Sequence, residues 1–244
     1  MQLPNHMCEE ISNHSWNPFH SRPRLHCREC YSIAQMGERL LDAVPVMSAT
    51  LLGLEIILHE PVIDLSLASE LVLSDVGATI QVLRLIERSF DFEGERPRRM
   101  SDCLASLSAD DWFGAISRWT FPCDREHAEV TALWKHCHLV AQYSQLVSEW
   151  LDCVSPEDAY LVGLLHGIGA IPAVLDWPEI SPGAMRAMEG ALPSFVHDAM
   201  RSVTNGVPSS DWGFLLIAAH EFASAPLDCF APSVQYEETI HIAQ

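Results

Sequence analysis

The sequence is poor in basic side chains. Its 244 residues include 14 Lys and Arg against 33 Asp and Glu, which gives a formal net charge of -19 at pH 7. A negative field of this size repels phosphate backbones and anionic headgroups, so nucleic acid and membrane surfaces are disfavoured as partners. The acidic balance suits basic protein partners instead. A local exception, Arg96, Arg98 and Arg99, is interpreted as a solvated loop.

Long apolar runs are also missing. No stretch reaches the roughly 18 apolar residues that a membrane span requires, and the N-terminus lacks the basic start and apolar segment of a secretion signal. We therefore expect a cytoplasmic protein, in which the 8 scattered cysteines are reduced thiols. The sequence contains neither a glycine-rich phosphate loop nor a Gly-x-Ser-x-Gly nucleophile elbow.

The apolar residues that are present recur at helical spacing from Gly37 onward, without a convincing strand or an internal repeat, so the predicted fold class is all-α. We expect a poorly ordered extension over 1–35, a helical domain over 36–230 and a C-terminal tail over 231–244. Pro45 should break the first helical stretch into two. The predicted helices that follow cover about 65–73, 79–90, 125–151, 194–204 and 210–222, with short helices around Leu104 and Trp112.

Helix starts are marked by Ser155-Pro156-Glu157-Asp158 and by Ser181-Pro182, because serine caps a helix and proline favours its first turn. The first of these helices should run through Ile168 and falter at Gly169 to Pro172. On the long helix over 125–151, the apolar spacing predicts a buried face that includes Trp134 and Trp150.

Two histidines lie in strongly helical, mostly apolar segments: His136 in Leu-Trp-Lys-His-Cys-His-Leu and His166 in Leu-Leu-His-Gly-Ile-Gly. The first segment resembles the one that supplies a metal-binding histidine in the HD superfamily, and the second resembles its Leu-Leu-His-Asp-Ile-Gly signature with Gly167 in place of Asp. Over about 44–220 the chain resembles an HDOD domain, the regulatory relative of the HD phosphohydrolases. This resemblance implies a multi-helix bundle.

The glycine at position 167, where the HD signature has aspartate, removes a side chain that HD enzymes use in catalysis. In HD enzymes the adjacent His and Asp both face a divalent metal, and the carboxylate helps to generate the attacking hydroxide. Glycine supplies no ligand, so we expect no catalytic residue, no metal and no other cofactor. The vestigial pocket would comprise His136, His166, Gly167 and His220. His136 and His166 are predicted to be core side chains, although a residual zinc or nickel site and a small-molecule pocket stay open as alternatives.

Other candidate ligands are interpreted as incidental. Ser194 stands where relatives often carry a histidine, and His197-Asp198 is a two-residue match of a kind that arises by chance. A zinc site could be formed by Cys27-Arg-Glu-Cys30 with Cys8, His14, His20 and His26 nearby. However, a single CxxC without a second paired element favours a flexible segment with incidental thiols.

The predicted function is a non-catalytic signal-transduction module that acts through protein-protein interaction in bacterial regulation. One alternative is a divergent metal-dependent phosphohydrolase, in which Asp198, Glu221 or Asp228 replaces the missing carboxylate. Another is a pocket that senses a nucleotide without hydrolysing it. The sequence leaves the oligomeric state open.

Overall fold

A computed structural model describes residues 36–224, apart from 90–99, 123, 152–153, 178–179, 191, 206–207 and 209. Several predicted features lie outside the described residues: the extension over 1–35 with its CxxC pair, the arginine cluster and the tail over 231–244. Within them every regular element is a helix and none is a strand. The all-α prediction is confirmed.

The first half of the described chain forms six helices. They are α1 (36–42), α2 (Ser48–Leu58), α3 (Leu65–Leu73), α4 (Val76–Ser89), α5 (Met100–Ala105) and α6 (Ala109–Ile116). The break between α1 and α2 contains Pro45, as predicted. Helix α4 begins three residues before the predicted Thr79, so the connection after α3 is only Ser74 and Asp75. The two short helices around Leu104 and Trp112 are confirmed.

The second half is built around one long helix. Its elements are α7 (Asp124–Ser148), α8 (Pro156–Leu165), a 3-10 helix (His166–Ala170), α9 (Ile171–Val174), α10 (Pro182–Gly190), α11 (Ser194–Asn205) and α12 (Asp211–Ser224). The prediction that α8 continues through Ile168 was wrong. The chain tightens into the 3-10 turn at His166, and Pro172 lies in the first turn of α9 rather than ending a helix.

Helix starts follow the predicted capping chemistry. The Ser155 side chain accepts a hydrogen bond from the Asp158 N–H, 3.1 Å away, and Pro156 occupies the first turn of α8. Ser181 Oγ accepts from the Ala184 N–H at 3.2 Å in the same way. These contacts satisfy N–H groups that have no partner within the helix. Both predicted helix starts are therefore confirmed.

The core is a single cluster of buried apolar side chains that runs from Leu41 in α1 to Ala219 in α12. Helix α7 packs against α8 and α12, and α11 packs against α12. Trp134 is buried, as predicted, but Trp150 is 73% exposed. The prediction for Trp150 was wrong because α7 ends at Ser148, so the helical spacing no longer sets its direction.

Buried polar contacts join the two halves. The Asp75 carboxylate accepts hydrogen bonds from the Trp134 indole N–H and the Met47 N–H, both at 2.8 Å. Burial raises the pKa of this carboxyl group, and hydrogen bonds from Met47, Ala78, Trp134 and Thr50 oppose the rise. A second link is the 3.1 Å hydrogen bond from Tyr160 OH to the Leu73 carbonyl. Together they fix the N-terminal helices against α7 and α8.

No single helix among the described residues is long and apolar enough to cross a membrane. Taken together, the helices at Leu65–Leu73 and Val76–Ile86 have the length and composition of a membrane span, but the chain bends by 118° between them.

Helices α7 and α8 approach each other closely at Gly163. A Cβ built at Gly163 would lie 2.5 Å from Ala141 Cα and 2.7 Å from Ser144 Oγ. Contacts this short do not occur for real Cβ atoms, so only glycine lets the two helix backbones meet at this point. This contact sets the distance between the side chains that follow on both helices.

Gly163→Ala should therefore destabilise the protein by about 2 to 4 kcal/mol, because the added methyl group has to push α8 away from α7. The matched control is Gly114→Ala in α6, where a Cβ meets no atom within 4 Å. Alanine there should stabilise by about 0.5 to 1 kcal/mol through its helix propensity. Urea unfolding of the three proteins measures the difference, and equal effects at the two glycines would contradict the close contact.

Candidate histidine cluster

Three histidines from three elements converge at the end of the α7–α8 contact. His136 lies on α7, His166 is the first residue of the 3-10 turn after α8, and His220 lies on α12. One ring nitrogen of each lies within 4.8 Å of those of the other two. The ring centroids are 4.4 Å apart for His166 and His220, 5.2 Å for His136 and His166, and 5.3 Å for His136 and His220. The structure thus brings together the three histidines that the resemblance placed in one pocket. His136 is exposed, so the prediction that it is a core side chain was wrong.

A backbone hydrogen bond orients His166. Its Nδ1 lies at hydrogen-bond distance from the Gly163 carbonyl oxygen, and because a carbonyl only accepts, Nδ1 carries the proton. In the neutral ring Nε2 then presents a lone pair, 3.3 Å from His136 Nε2. His220 Nε2 is buried and has no hydrogen-bond partner. The cluster therefore presents nitrogen atoms that the protein leaves incompletely satisfied.

The environment keeps the rings of His166 and His220 neutral. Burial lowers the pKa of His166 to about 3, and the neighbouring His220 and His136 act in the same direction, while the hydrogen bond to Gly163 opposes the shift. Burial also lowers the pKa of His220, again with a contribution from His136. A buried imidazole resists protonation because the charged form loses its hydration. At neutral pH, His166 and His220 are thus available as lone-pair donors.

The space next to the α-carbon of Gly167 is filled by Cys137. A Cβ at Gly167 would lie 2.5 Å from Cys137 Sγ and 3.3 Å from Leu133 Cδ1. Cys137 is fully buried, and burial raises the pKa of its thiol to about 12, although a hydrogen bond with the Gly167 backbone lowers it in part. The thiol is therefore a protonated packing group. The sequence marked Gly167 but did not identify Cys137, because their contact joins residues on two helices.

The other candidates lie outside this cluster. His197, Asp198 and Glu221 are described, yet none belongs to the group of converging ligand atoms. Asp198 and Glu221 are exposed. Asp228 and the N-terminal cysteines and histidines lie outside the described residues. Ser194 begins α11, and nothing is described of its side chain.

A groove on another face of α7 was not predicted. It has a volume of about 450 Å³ and is lined by Met47, Ser74, Thr131, Trp134, Lys135, His138, Leu139 and Gln142. At its edge His138 Nδ1 lies 2.8 Å from Tyr160 OH. None of the three clustered histidines lines this groove, so a small molecule bound there would not touch the cluster.

A known protein family matches the part of the chain that contains His136 and His166. Residues 115–201 match the model of the HDOD domain. An HDOD domain is thus found at residues 115–201. The resemblance predicted from His136, His166 and their neighbours is confirmed. The match runs from the end of α6 into α11 and stops before His220, so the wider domain boundaries of 36 and 230 stay a prediction.

Two solved structures share the fold of this chain. Both are crystal structures of the MmoQ response regulator from Methylococcus capsulatus strain Bath. The fragment 20–298 is 15% identical, with a TM-score of 0.57 over 78% of this chain and 88% of that one. The other is 19% identical, with a TM-score of 0.57 over 76% of this chain and 90% of that one. At these identities the similarity establishes the fold. No curated protein sequence gives a significant match.

The low pKa of His166 makes stability depend on pH. The pKa of its ring is about 3 in the folded protein against the ordinary 6.5, so the unfolded chain binds a proton that the native state rejects. The resulting stabilisation is complete above about pH 6.5 and is lost as the pH falls towards 3. The free energy of unfolding of wild type minus that of His166→Gln should therefore shrink over this range, measured by urea unfolding at each pH.

His127→Gln, which removes an exposed histidine on α7, is the matched control for the loss of an imidazole. A difference between wild type and His166→Gln that stays constant over this pH range would contradict the buried, neutral assignment.

Proposed function

We propose that this chain is a non-catalytic signal-transduction module that acts through protein-protein interaction. The observation that carries the proposal is the contact between Gly167 and Cys137. The position that would have to supply a catalytic carboxylate has no side chain, and the space next to it is filled by a buried thiol. The absence of the carboxylate is therefore built into the packing of α7 against the 3-10 turn.

The donor atoms of the histidine cluster also support a non-catalytic role. Hydrolytic Mg²⁺ and Mn²⁺ centres prefer carboxylate, carbonyl and water oxygens. Among the described residues, the cluster offers three imidazoles and no carboxylate. These residues do not fit a Mg²⁺ or Mn²⁺ phosphohydrolase centre, so we derive no hydrolytic step from them.

The signalling role is inferred from the domain and its surface. The solved relatives are named response regulators, and the net charge of -19 favours basic protein partners. Leu139 and Leu146, seven residues apart on α7, are 39% and 50% exposed, and Trp150, just beyond the end of α7, is 73% exposed. Exposed large apolar side chains are the kind of surface that a protein partner covers. We place the module in the bacterial cytoplasm.

The principal alternative is a divergent phosphohydrolase that recruits a carboxylate from elsewhere. Asp198 and Glu221 are exposed and outside the cluster, which weighs against them. Nucleotide sensing, the second alternative, would use the groove beside His138 rather than the histidine cluster.

Gly167→Asp tests the proposal. The new side chain collides with Cys137 Sγ, so this variant should lose about 2 to 4 kcal/mol of stability. Cys137→Ala removes the sulfur atom, so the double variant should be less destabilised than the sum of the two single variants. Wild type should not turn over bis(p-nitrophenyl) phosphate with Mg²⁺ or Mn²⁺.

Gly169→Asp is the control for the added charge, because Gly169 is exposed and a Cβ there meets its nearest atom, Glu189 Oε1, at 3.9 Å. It should cost much less stability than Gly167→Asp. Metal-dependent turnover by wild type would overturn the non-catalytic assignment. Additive effects at positions 137 and 167 would overturn its steric explanation.

A further inference from the structure

We propose that one face of α7 is the interface of a symmetric dimer, in which α7 of one chain packs antiparallel against α7 of a second copy. This face, called the α7 stripe, consists of Ala128, Ala132, Lys135, Leu139, Tyr143 and Leu146. The inference rests on the proposed role in protein-protein interaction and names one partner for it. It assigns no chemistry to the histidine cluster.

The α7 stripe runs along the exposed side of the helix. Its residues follow one another at steps of three and four positions, which confines them to about 80° of the circumference of a helix with about 3.6 residues per turn. Five of the six are exposed, and Tyr143 is half-buried. The opposite side of α7 carries Val130, Ala141 and Ser148, which are buried in the core. Apolar residues at this spacing are typical of a helix that packs against another helix.

Two aromatic side chains enlarge the C-terminal end of the α7 stripe. Phe222 of α12 stacks on Tyr143 with ring centroids 6.0 Å apart, and the Trp150 ring meets Phe222 edge-on at 6.3 Å. Trp150 is 73% exposed, so most of its ring is open to contact. The N-terminal end, in contrast, has the small side chains of Ala128 and Ala132. The two ends of the stripe therefore differ in size.

This difference makes the α7 stripe complementary to itself. When two copies pack antiparallel with Leu139 at the two-fold axis, residues equally far from Leu139 meet. Leu146 of one copy then lies over Ala132 of the other, and the aromatic end of each copy lies over the alanine end of the other. Tyr143 meets Lys135, whose ammonium group can interact with the face of the ring. A symmetric interface has to match itself in this way, because both chains contribute the same surface.

The charge of the α7 stripe favours a second copy over a basic partner. The chain has 33 acidic residues, but none belongs to the stripe, and the exposed Glu129 and Glu149 lie outside it. Lys135, the only lysine in the sequence, is its one charged side chain. Two chains of the same negative charge repel each other least where acidic side chains are absent. A basic partner would gain little attraction from this face.

Sedimentation equilibrium of the full chain tests the dimer. We expect a species of twice the chain mass of 27.2 kDa. Because the stripe from Ala128 to Leu146 is only about 27 Å long, the dissociation constant should be micromolar rather than nanomolar. Added salt should strengthen the association by screening the net charge of -19 on each chain. A chain that is still monomeric at submillimolar concentration would overturn the proposal and leave this face to another protein or another segment of the chain.

Substitutions on two faces locate the interface. Leu146→Glu should weaken the dimer by about tenfold or more, because it buries an unpaired charge between the helices. Leu52→Glu on α2 is the matched control, since Leu52 is 58% exposed and Leu146 is 50% exposed, and it should dimerise like wild type. Circular dichroism checks that both variants fold. An equal loss in both variants, or no loss in Leu146→Glu, would refute the interface on α7.

A charge pair tests the antiparallel register. In Ala132→Lys/Leu146→Glu each introduced lysine lies opposite the introduced glutamate of the other copy, so the dimer should regain most of the affinity lost in Leu146→Glu. Leu52→Lys/Leu146→Glu has the same net charge and should regain none. Equal affinities of the two double variants would contradict the antiparallel pairing. The turnover assay remains separate: an inactive monomer would remove the dimer alone, and an active dimer would overturn only the non-catalytic role.

Discussion

The cluster depends on the backbone contact between α7 and α8 at Gly163. The missing side chain lets Ala141 of α7 approach within a distance that no Cβ would permit. The carbonyl of the same glycine accepts the hydrogen bond that orients His166. One residue therefore sets both how close the helices lie and which nitrogen of His166 faces its neighbours. His136 and His220 meet His166 because α7 and α12 both pack against this end of α8.

At Gly167 a packing contact occupies the side on which a side chain would project. The sulfur of Cys137 lies 2.5 Å from the position of a Cβ at residue 167, so a carboxylate cannot be introduced there without displacing Cys137. Close-packed interiors tolerate neither overlap nor much empty volume, so the two residues constrain each other. The three imidazoles remain as the polar part of the same junction.

Much of the fold could be predicted from the sequence because its signals are local. Ser155 and Ser181 cap helices through residues three positions away, and Pro45 separates α1 from α2 by its own geometry. The resemblance placed His136, His166 and His220 in one pocket. The contact of Cys137 with Gly167 and the links of Asp75 to Trp134 could not be predicted, since they join residues that lie far apart in the chain. Trp150 shows the limit of periodicity, which holds only while the helix continues.

The most direct test of this account is the protonation and proximity of the three rings, measured by long-range ¹H–¹⁵N correlation NMR of the histidine side chains at pH 7 in the presence of a chelator. The account predicts a neutral His166 with its proton on Nδ1, and nuclear Overhauser contacts from its ring to those of His136 and His220. A charged His166, a proton on its Nε2, or rings without mutual contacts would contradict it.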